Sequence, residues 1–258
     1  MYKKYLGMYM KSAFQYRGST ILMAISQLLI TVAEFFSIYL LLLRFKSIGG
    51  WGFAEIAIMF GVIMTCFPLS ECFGRGFDQF SKQLKTGGLD RILIRPRSAF
   101  WQVFSSDFEF SKIGRLAVGI SALCYGLIQA NIAWTVAKVI CIILVLIAGF
   151  LINLSLLIIN AGITIYTIED FEILNILTNG GRDLAQYPIS IYKKWFRNIF
   201  TYILPLATIN YLPVMYLTDA PGATIWGHML APLWGSLLII PAVLFFNYSL
   251  GKYQGAGT

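Results

Sequence analysis

The sequence predicts an all-α integral membrane protein with six membrane-spanning helices. Of its 258 residues, 58% are apolar and only 12% are charged, which is about half the charged share of a soluble domain. The apolar stretches are long and continuous rather than alternating in polarity, which favours helices over a β-barrel. Because lipid cannot satisfy backbone polar groups, each stretch must form its backbone hydrogen bonds within itself. We therefore expect one membrane domain over residues 1–258.

A helix needs about 20 mainly apolar residues to cross the hydrocarbon core. On this criterion we expect spans at about 20–43, 54–73, 112–131, 135–165, 198–217 and 229–250. The second apolar run is the shortest of the six. Pro205 and Pro213 predict kinks in the fifth span, because proline removes a backbone donor and clashes with the preceding turn.

Basic residues fall mainly on one side of these spans. Segments 1–20, 71–115, 169–197 and 252–258 hold 17 Lys and Arg residues, whereas the opposite loops hold three. Lys and Arg are enriched in cytoplasmic loops, so both termini are predicted to be cytoplasmic. Basic flanks that face anionic membrane lipid and a partner explain the net charge of +8 better than nucleic-acid binding does.

Residues 1–19 have a different pattern from the spans. Aromatic and aliphatic residues recur at helical spacing, whereas lysines occupy the other positions. This favours an amphipathic helix that lies in the membrane interface. An irregular basic tail is the alternative.

The motifs of common enzymes are missing from the sequence. It contains no G-x-x-x-x-G-K-[ST] phosphate-binding loop, no HExxH and no GxSxG, so the chain is not expected to be an enzyme. The single histidine, His228, has no carboxylate close to it in sequence. The four cysteines lie in or beside apolar runs without metal-ligand spacing, which favours small buried hydrophobes. We expect no cofactor or metal on this chain.

Glu34 is the one clear ionisable residue at membrane depth. Such residues are costly and often functional. Three interpretations stay open: a protonated or paired structural residue, a residue that lines a substrate path, and a proton-coupling site. With Pro205 and Pro213, Glu34 forms the candidate substrate path.

The segment that follows the second span has a structure of its own. Phe77, Phe80 and Leu84 recur at helical spacing, and Gly87-Gly88 can end that helix in a left-handed cap. A second short helix is predicted over Leu89–Arg95, capped by Asp90, and Pro96 ends it. Its apolar face either docks a partner or rests on the membrane or the bundle. Glu71 and Arg75 are spaced for an i,i+4 ion pair.

These features resemble the permease subunits of bacterial ABC exporters of the ABC-2 class. One branch carries a G-x-L-D-x-x-L-x-R-P motif followed by Gln, which reads here Gly87 to Pro96 and then Gln102. A G-R-x-L-x-x-Y-P-I-x-I-Y stretch is present at Gly181–Tyr192, followed by Pro205 and Tyr211-Leu212-Pro213. The C-terminal Tyr-x-x-Ala-Gly-Ser pattern of the branch corresponds to residues 253–258, where Gly255 and Thr258 depart mildly from it. The resemblance extends over nearly the whole chain in span number and order.

The resemblance implies a six-helix ABC-2 bundle with an N-terminal interfacial helix, in the bacterial inner membrane. It implies a second ABC-2 permease, identical or not, that completes the substrate path. It also implies separate ABC ATP-binding subunits that hold ATP and Mg. Coupling to them would use the loop after the second span, at Leu89, Asp90, Arg91, Ile92, Leu93, Arg95 and Pro96 or, less directly, at Phe77–Leu84. The class exports drugs, lipids, polysaccharides and peptides, among which the sequence does not select.

Three functions remain open at this stage. The first is a permease subunit of an ATP-driven exporter, including multidrug efflux. The second is an ion-driven secondary transporter, and the third is a membrane scaffold without a transport path. A co-purifying ATP-binding subunit would favour the first of these.

Overall fold

In the computed structural model, residues 7–9, 11, 15, 17–167 and 176–253 are described. That part of the chain is helical and contains no β-strand. Five helices are long and apolar enough to cross a membrane, and a bent pair would make a sixth span. The five are Arg17–Phe45, Phe53–Phe73, Phe110–Gln129, Val136–Thr167 and Ile225–Leu250, and the bent pair is Lys194–Ile203 with Leu206–Leu217, which is a broken span or a re-entrant loop. In chain order we number these six elements spans 1 to 6. The expectation of an all-α membrane protein is confirmed.

Span 2 lies at the centre of the bundle, with 15 of its 21 residues buried. Glycines allow span 3 to approach its backbone closely. A Cβ atom at Gly119 would lie 2.3 Å from the carbonyl oxygen of Met64, and one at Gly61 would lie 2.4 Å from the backbone nitrogen of Leu123. Close approach through small residues is a main source of helix association in lipid, where apolar burial gives little driving force.

Span 1 begins at Arg17 without a break after residue 19, where the sequence predicted the end of an interfacial helix. Most of residues 1–16 lie outside the described part of the chain. Tyr9 is described: its hydroxyl donates to the carbonyl oxygen of Ser106, and its ring lies 5.6 Å from that of Phe108. This residue therefore contacts the segment between spans 2 and 3.

Span 5 is not one straight helix. Its two parts, Lys194–Ile203 and Leu206–Leu217, meet at an angle of 78°. Pro205 lies at the break with a φ of −71° and a ψ of 45°, outside the helical region. The predicted kink at Pro205 is confirmed and is sharp enough to divide the predicted span 198–217 in two. Pro213 lies inside the second helix and is buried.

The two ends of the bundle differ in structure. At one end, four short helices follow span 2: Arg75–Asp78, Phe80–Lys85, Gly88–Leu93 and Ala99–Phe104. At the other end, the ammonium group of Lys138, at the start of span 4, lies 2.7 Å from the carboxylate of Asp219, which follows span 5. Lys138 is only 4% exposed. We call these the loop-helix end and the clamp end.

The segment between spans 4 and 5 does not stay at one end, as the sequence predicted for residues 169–197. Arg182 lines a cavity beside Asp78, at the loop-helix end. Ser190 and Ile191 instead lie against Gly49, in the turn between spans 1 and 2 at the clamp end. Buried contacts of Ile189 with the bundle core explain this path. The prediction that the whole segment lies on one face is therefore wrong for residues 189–191. Because Asp219 lies at the clamp end as well, span 5 begins and ends at the same end of the bundle, as a re-entrant loop does.

Candidate functional site

The four short helices at the loop-helix end share an aromatic core with spans 4 and 6. The rings of Phe77 and Phe80 lie 5.3 and 5.5 Å from that of Phe246 in span 6. Leu89 joins the same cluster, as does Ile158 of span 4. Buried aromatic pairs contribute about 0.5–1.5 kcal/mol beyond area burial. The loop helices are therefore packed onto the membrane bundle rather than tethered loosely to it.

Gly88–Leu93, which we call the docking helix after the role predicted for it, follows Gly87 with its φ of +64°. The predicted left-handed turn at Gly87 is confirmed. The helix is shorter than the predicted Leu89–Arg95, and Asp90 lies within it rather than at its N-cap. The helix predicted over Phe77–Leu84 is interrupted, because Gln79 separates the helices Arg75–Asp78 and Phe80–Lys85.

The apolar residues of the docking helix do not share one surface. Leu89 is 0% exposed, whereas Leu93 is 44% exposed and Ile94 is 82% exposed. Ile92 is partly buried against the loop-helix core. The remaining predicted coupling residues are accessible to different degrees: Asp90 is half-buried, and exposed positions are Arg91, Arg95 and Pro96. A partner can reach Leu93 and Ile94 but not Leu89, which belongs to the protein's own core.

Gln102 holds the far side of this loop in place. Its amide nitrogen donates to the carbonyl oxygens of Ile92 and Arg97, both at 3.1 Å. Gln102 is 7% exposed, so these bonds form away from water. The glutamine that follows the sequence motif thus has a structural role, which is to fix the turn that presents Leu93 and Ile94.

Ion pairs at the base of the loop helices differ from the predicted Glu71–Arg75 pair. Glu71 Oε2 lies 2.7 Å from the ammonium of Lys112, which comes from the start of span 3. Arg75 instead pairs with Asp78 and, at 3.0 Å, with Glu109. Burial raises the pKa of Asp78 above its ordinary value, although the neighbouring Arg75 acts in the opposite direction.

Sequence analysis missed a polar cavity of about 370 Å³ beside these ion pairs. It lies between spans 2, 3 and 4 and the segment after span 4. Its described lining combines charged, amide and apolar side chains: Phe67, Glu71, Asp78, Lys112, Arg115, Asn153, Leu156, Leu157, Asn160, Thr178, Asn179 and Arg182. The presence of Asn153 and Asn160 in an otherwise apolar span was the available sequence signal.

The structure does not bring the three predicted path residues together in one cavity. Glu34 lies half-buried on span 1, where Arg115 and Arg182 are near enough to act on its charge. Pro205 marks the break in span 5. Pro213 lines a small apolar cavity of about 10 Å³ between spans 2, 3 and 4. None of the three lines the polar cavity, but Glu34 shares two arginines with it.

Among the described residues, no group of three His, Cys, Asp or Glu side chains could hold a metal ion. Comparison with known families gives a decisive result: the family model described as ABC-2 family transporter protein matches residues 28–257. The chain belongs to this family. Comparison with curated proteins and with solved structures gives no significant match.

Membership of the ABC-2 family identifies the chain as a multi-pass membrane transport component. An ABC-2 permease of this kind implies association with an ATP-binding subunit. The matched region includes all of spans 2 to 6, the docking helix and the polar cavity.

Proposed function

We propose that this ABC-2 family protein is the transmembrane permease subunit of an ATP-driven exporter in the bacterial inner membrane, with both termini in the cytoplasm. Residues 1–258 form one transmembrane domain that lines the substrate path together with a second permease. ATP and Mg bind on separate ATP-binding subunits. The exposed end of the docking helix, braced on the bundle core through Leu89, is the observation that carries this proposal.

The coupling step follows from the packing of the docking helix. The ATP-binding subunit contacts Leu93 and Ile94 together with the exposed charges of Arg91 and Arg95. Because Leu89 packs in the same cluster as residues of spans 4 and 6, movement of the docking helix shifts those spans as packed units. Such rigid-body displacement is a common form of conformational coupling.

Ile94→Asp tests this docking surface. The substitution places a carboxylate on an 82% exposed residue, so the permease should fold normally. We expect loss of the ATP-binding subunit from the purified complex and loss of ATP-dependent transport. Phe45→Asp is the matched control, because Phe45 is also exposed but lies at the clamp end. Retention of the ATP-binding subunit by Ile94→Asp would contradict the proposal.

Leu89→Asp should behave differently from Ile94→Asp. Leu89 is 0% exposed, so the substitution buries a carboxylate in an apolar cluster, and such a burial is strongly destabilising. We expect loss of folded protein rather than a folded permease that lacks its partner. Size-exclusion chromatography in detergent separates these two results.

An ion-driven secondary transporter remains the second candidate, because one carboxylate oxygen of Glu34 is buried without a hydrogen-bond partner among the described residues. Reconstituted permease without any ATP-binding subunit decides between the two functions. Transport driven by a proton gradient alone would favour the second candidate. Transport that requires ATP and the partner favours the exporter.

A further inference from the structure

The polar cavity contains hydrogen-bonding groups that the protein itself leaves unused. Asn160 is 5% exposed, and its amide oxygen accepts no hydrogen bond from the residues that the structure describes. Arg115 is 9% exposed; its Nη2 donates to Gln27 at 2.7 Å, but its Nη1 makes no hydrogen bond within the same set. Buried polar groups are nearly always paired, so such groups on one cavity indicate that water or a ligand completes their hydrogen bonds.

The carboxylates of the cavity are already engaged. Glu71 holds Lys112 at 2.7 Å, and Asp78 pairs with Arg75. The nearest carboxylate to Arg115 Nη1 in an ion pair is that of Glu71, at 3.8 Å, which is too long for a hydrogen bond. Both carboxylates are thus held in ion pairs, although Oε2 of Glu71 makes no hydrogen bond among the described residues. The other groups left open are one guanidinium donor, Arg115 Nη1, and one amide acceptor, the oxygen of Asn160.

Arg182 adds a second guanidinium to the same cavity. Its Nε bonds to Asp183 at 3.0 Å, and the Asp183 side chain is 58% exposed. With Arg182, the described lining contains three basic residues and two acidic ones, Glu71 and Asp78. Guanidinium groups present fixed pairs of donors that match phosphate and carboxylate oxygens.

The cavity also has an apolar side. Phe67, Leu156 and Leu157 line it where spans 2 and 4 face each other. Its accessible volume of about 370 Å³ far exceeds the roughly 10–15 Å³ that a cavity needs to hold one water. A charged head group with part of an adjoining hydrocarbon chain fits this combination better than a small ion does.

We propose that the polar cavity binds the anionic head group, phosphate or carboxylate, of an amphipathic substrate. Arg115 Nη1 and the guanidinium of Arg182 donate to the anion. The amide oxygen of Asn160 accepts a hydrogen bond from a hydroxyl or protonated oxygen of the same head group. This assignment rests on the proposed transport function and names the substrate class for it.

Titration calorimetry of the purified permease in a neutral detergent tests the chemistry of the site. The probes are octyl phosphate, inorganic phosphate and octyltrimethylammonium. We expect the tightest binding for octyl phosphate, weaker binding for inorganic phosphate, and none for the ammonium probe. Equal affinity for both phosphates would overturn the amphipathic part of the proposal, and preference for the ammonium probe would overturn all of it.

Four variants test the residues. Arg182→Gln should weaken octyl phosphate binding about tenfold or more, because a hydrogen bond to a charged group is lost. Asn160→Leu should also weaken octyl phosphate binding, and it keeps the proposed site testable if Arg182→Gln does not fold. Glu34→Gln should strengthen it, because Glu34 acts on the same two arginines. Arg44→Gln, an exposed arginine at the clamp end, is the matched control and should bind unchanged.

Unaltered binding by both Arg182→Gln and Asn160→Leu overturns the proposed site. This result is distinguishable from failure of the exporter proposal, because binding is measured without the ATP-binding subunit. Conversely, Arg182→Gln should still co-purify with that subunit, since Arg182 is not part of the docking helix.

Discussion

Spans 1 and 2 have nearly the same mean hydropathy but opposite positions in the bundle. Three of the 29 residues of span 1 are buried, compared with 15 of 21 in span 2. Lipid tails are as apolar as leucine side chains, so hydropathy alone gives a helix no preference for the centre. The difference teaches that small residues and polar contacts, rather than apolar content, select the central helix.

The small residues that place span 2 at the centre are glycines. Gly61 of span 2 and Gly119 and Gly126 of span 3 each face backbone atoms of the partner helix, with no space for a side chain. Gly18 at the start of span 1 has no atom within 4 Å of its Cβ position. Span 1 contacts the bundle near Gly114, whose Cβ would meet the Ala24 carbonyl oxygen, and through Gln27 and Arg115. Its buried residues Ile38 and Leu42 also cluster with apolar residues of span 2.

The largest expected effect comes from filling the contact between spans 2 and 3. Gly119→Leu would force side-chain atoms into the Met64 carbonyl, and we expect a loss of about 3 kcal/mol or more in the free energy of unfolding. Denaturant-induced unfolding in mixed micelles, followed by tryptophan fluorescence, measures it. Gly18→Leu, the matched control, should leave the unfolding curve unchanged. Similar unfolding curves for both variants would show that glycine contacts do not explain the central position of span 2.

A smaller but clear difference is expected from truncating isoleucines. Ile63 of span 2 is 0% exposed and Ile30 of span 1 is 51% exposed. Ile63→Ala leaves a cavity and should cost about 2–5 kcal/mol, whereas Ile30→Ala should change stability by less than about 0.5 kcal/mol. The same unfolding assay applies. A large cost at Ile30 would show that span 1 packs against something more specific than lipid or detergent.

The polar attachment of span 1 should contribute less than a core isoleucine. Gln27→Leu removes the acceptor of Arg115 Nη2 and leaves a buried charged donor without that partner, so we expect a cost of about 1–3 kcal/mol. Ser26→Ala is the control, because Ser26 is exposed and bonds only within its own helix. Equal stability of the two variants would mean that the Gln27–Arg115 contact does not hold span 1.

A small stability change is expected for Glu34→Gln. The buried oxygen of Glu34 lacks a hydrogen-bond partner in the described structure, so the isosteric amide should alter stability by less than about 1 kcal/mol. Transport should change by more than the protein yield does. The opposite result, reduced yield with normal transport per molecule, would assign Glu34 a purely structural role.

Local features of the sequence predicted local features of the structure well. The turn at Gly87, the break at Pro205 and the position of the docking helix each depend on the backbone preferences of one or two residues. The apolar stretches likewise predicted the helices, because every span must satisfy its own backbone.

Long-range contacts could not be predicted in the same way. The helical spacing of Leu89 and Leu93 suggested one shared face, but Phe246 packs in the cluster that covers Leu89, while Leu93 stays exposed. The spacing of Glu71 and Arg75 suggested a pair, but the partner of Glu71 is Lys112. In both cases the deciding residue comes from a different helix, which periodicity within one segment does not reveal.

The aromatic core shared by the loop helices and span 6 has a consequence for biosynthesis. Phe77 and Phe80 leave the ribosome long before Phe246, yet all three rings pack together. The loop helices therefore lack a complete core until the last span has been made and inserted, although chains generally begin to fold from the N-terminal side. On the proposed docking role, a nascent or truncated chain would present the ATP-binding subunit with an incomplete docking surface.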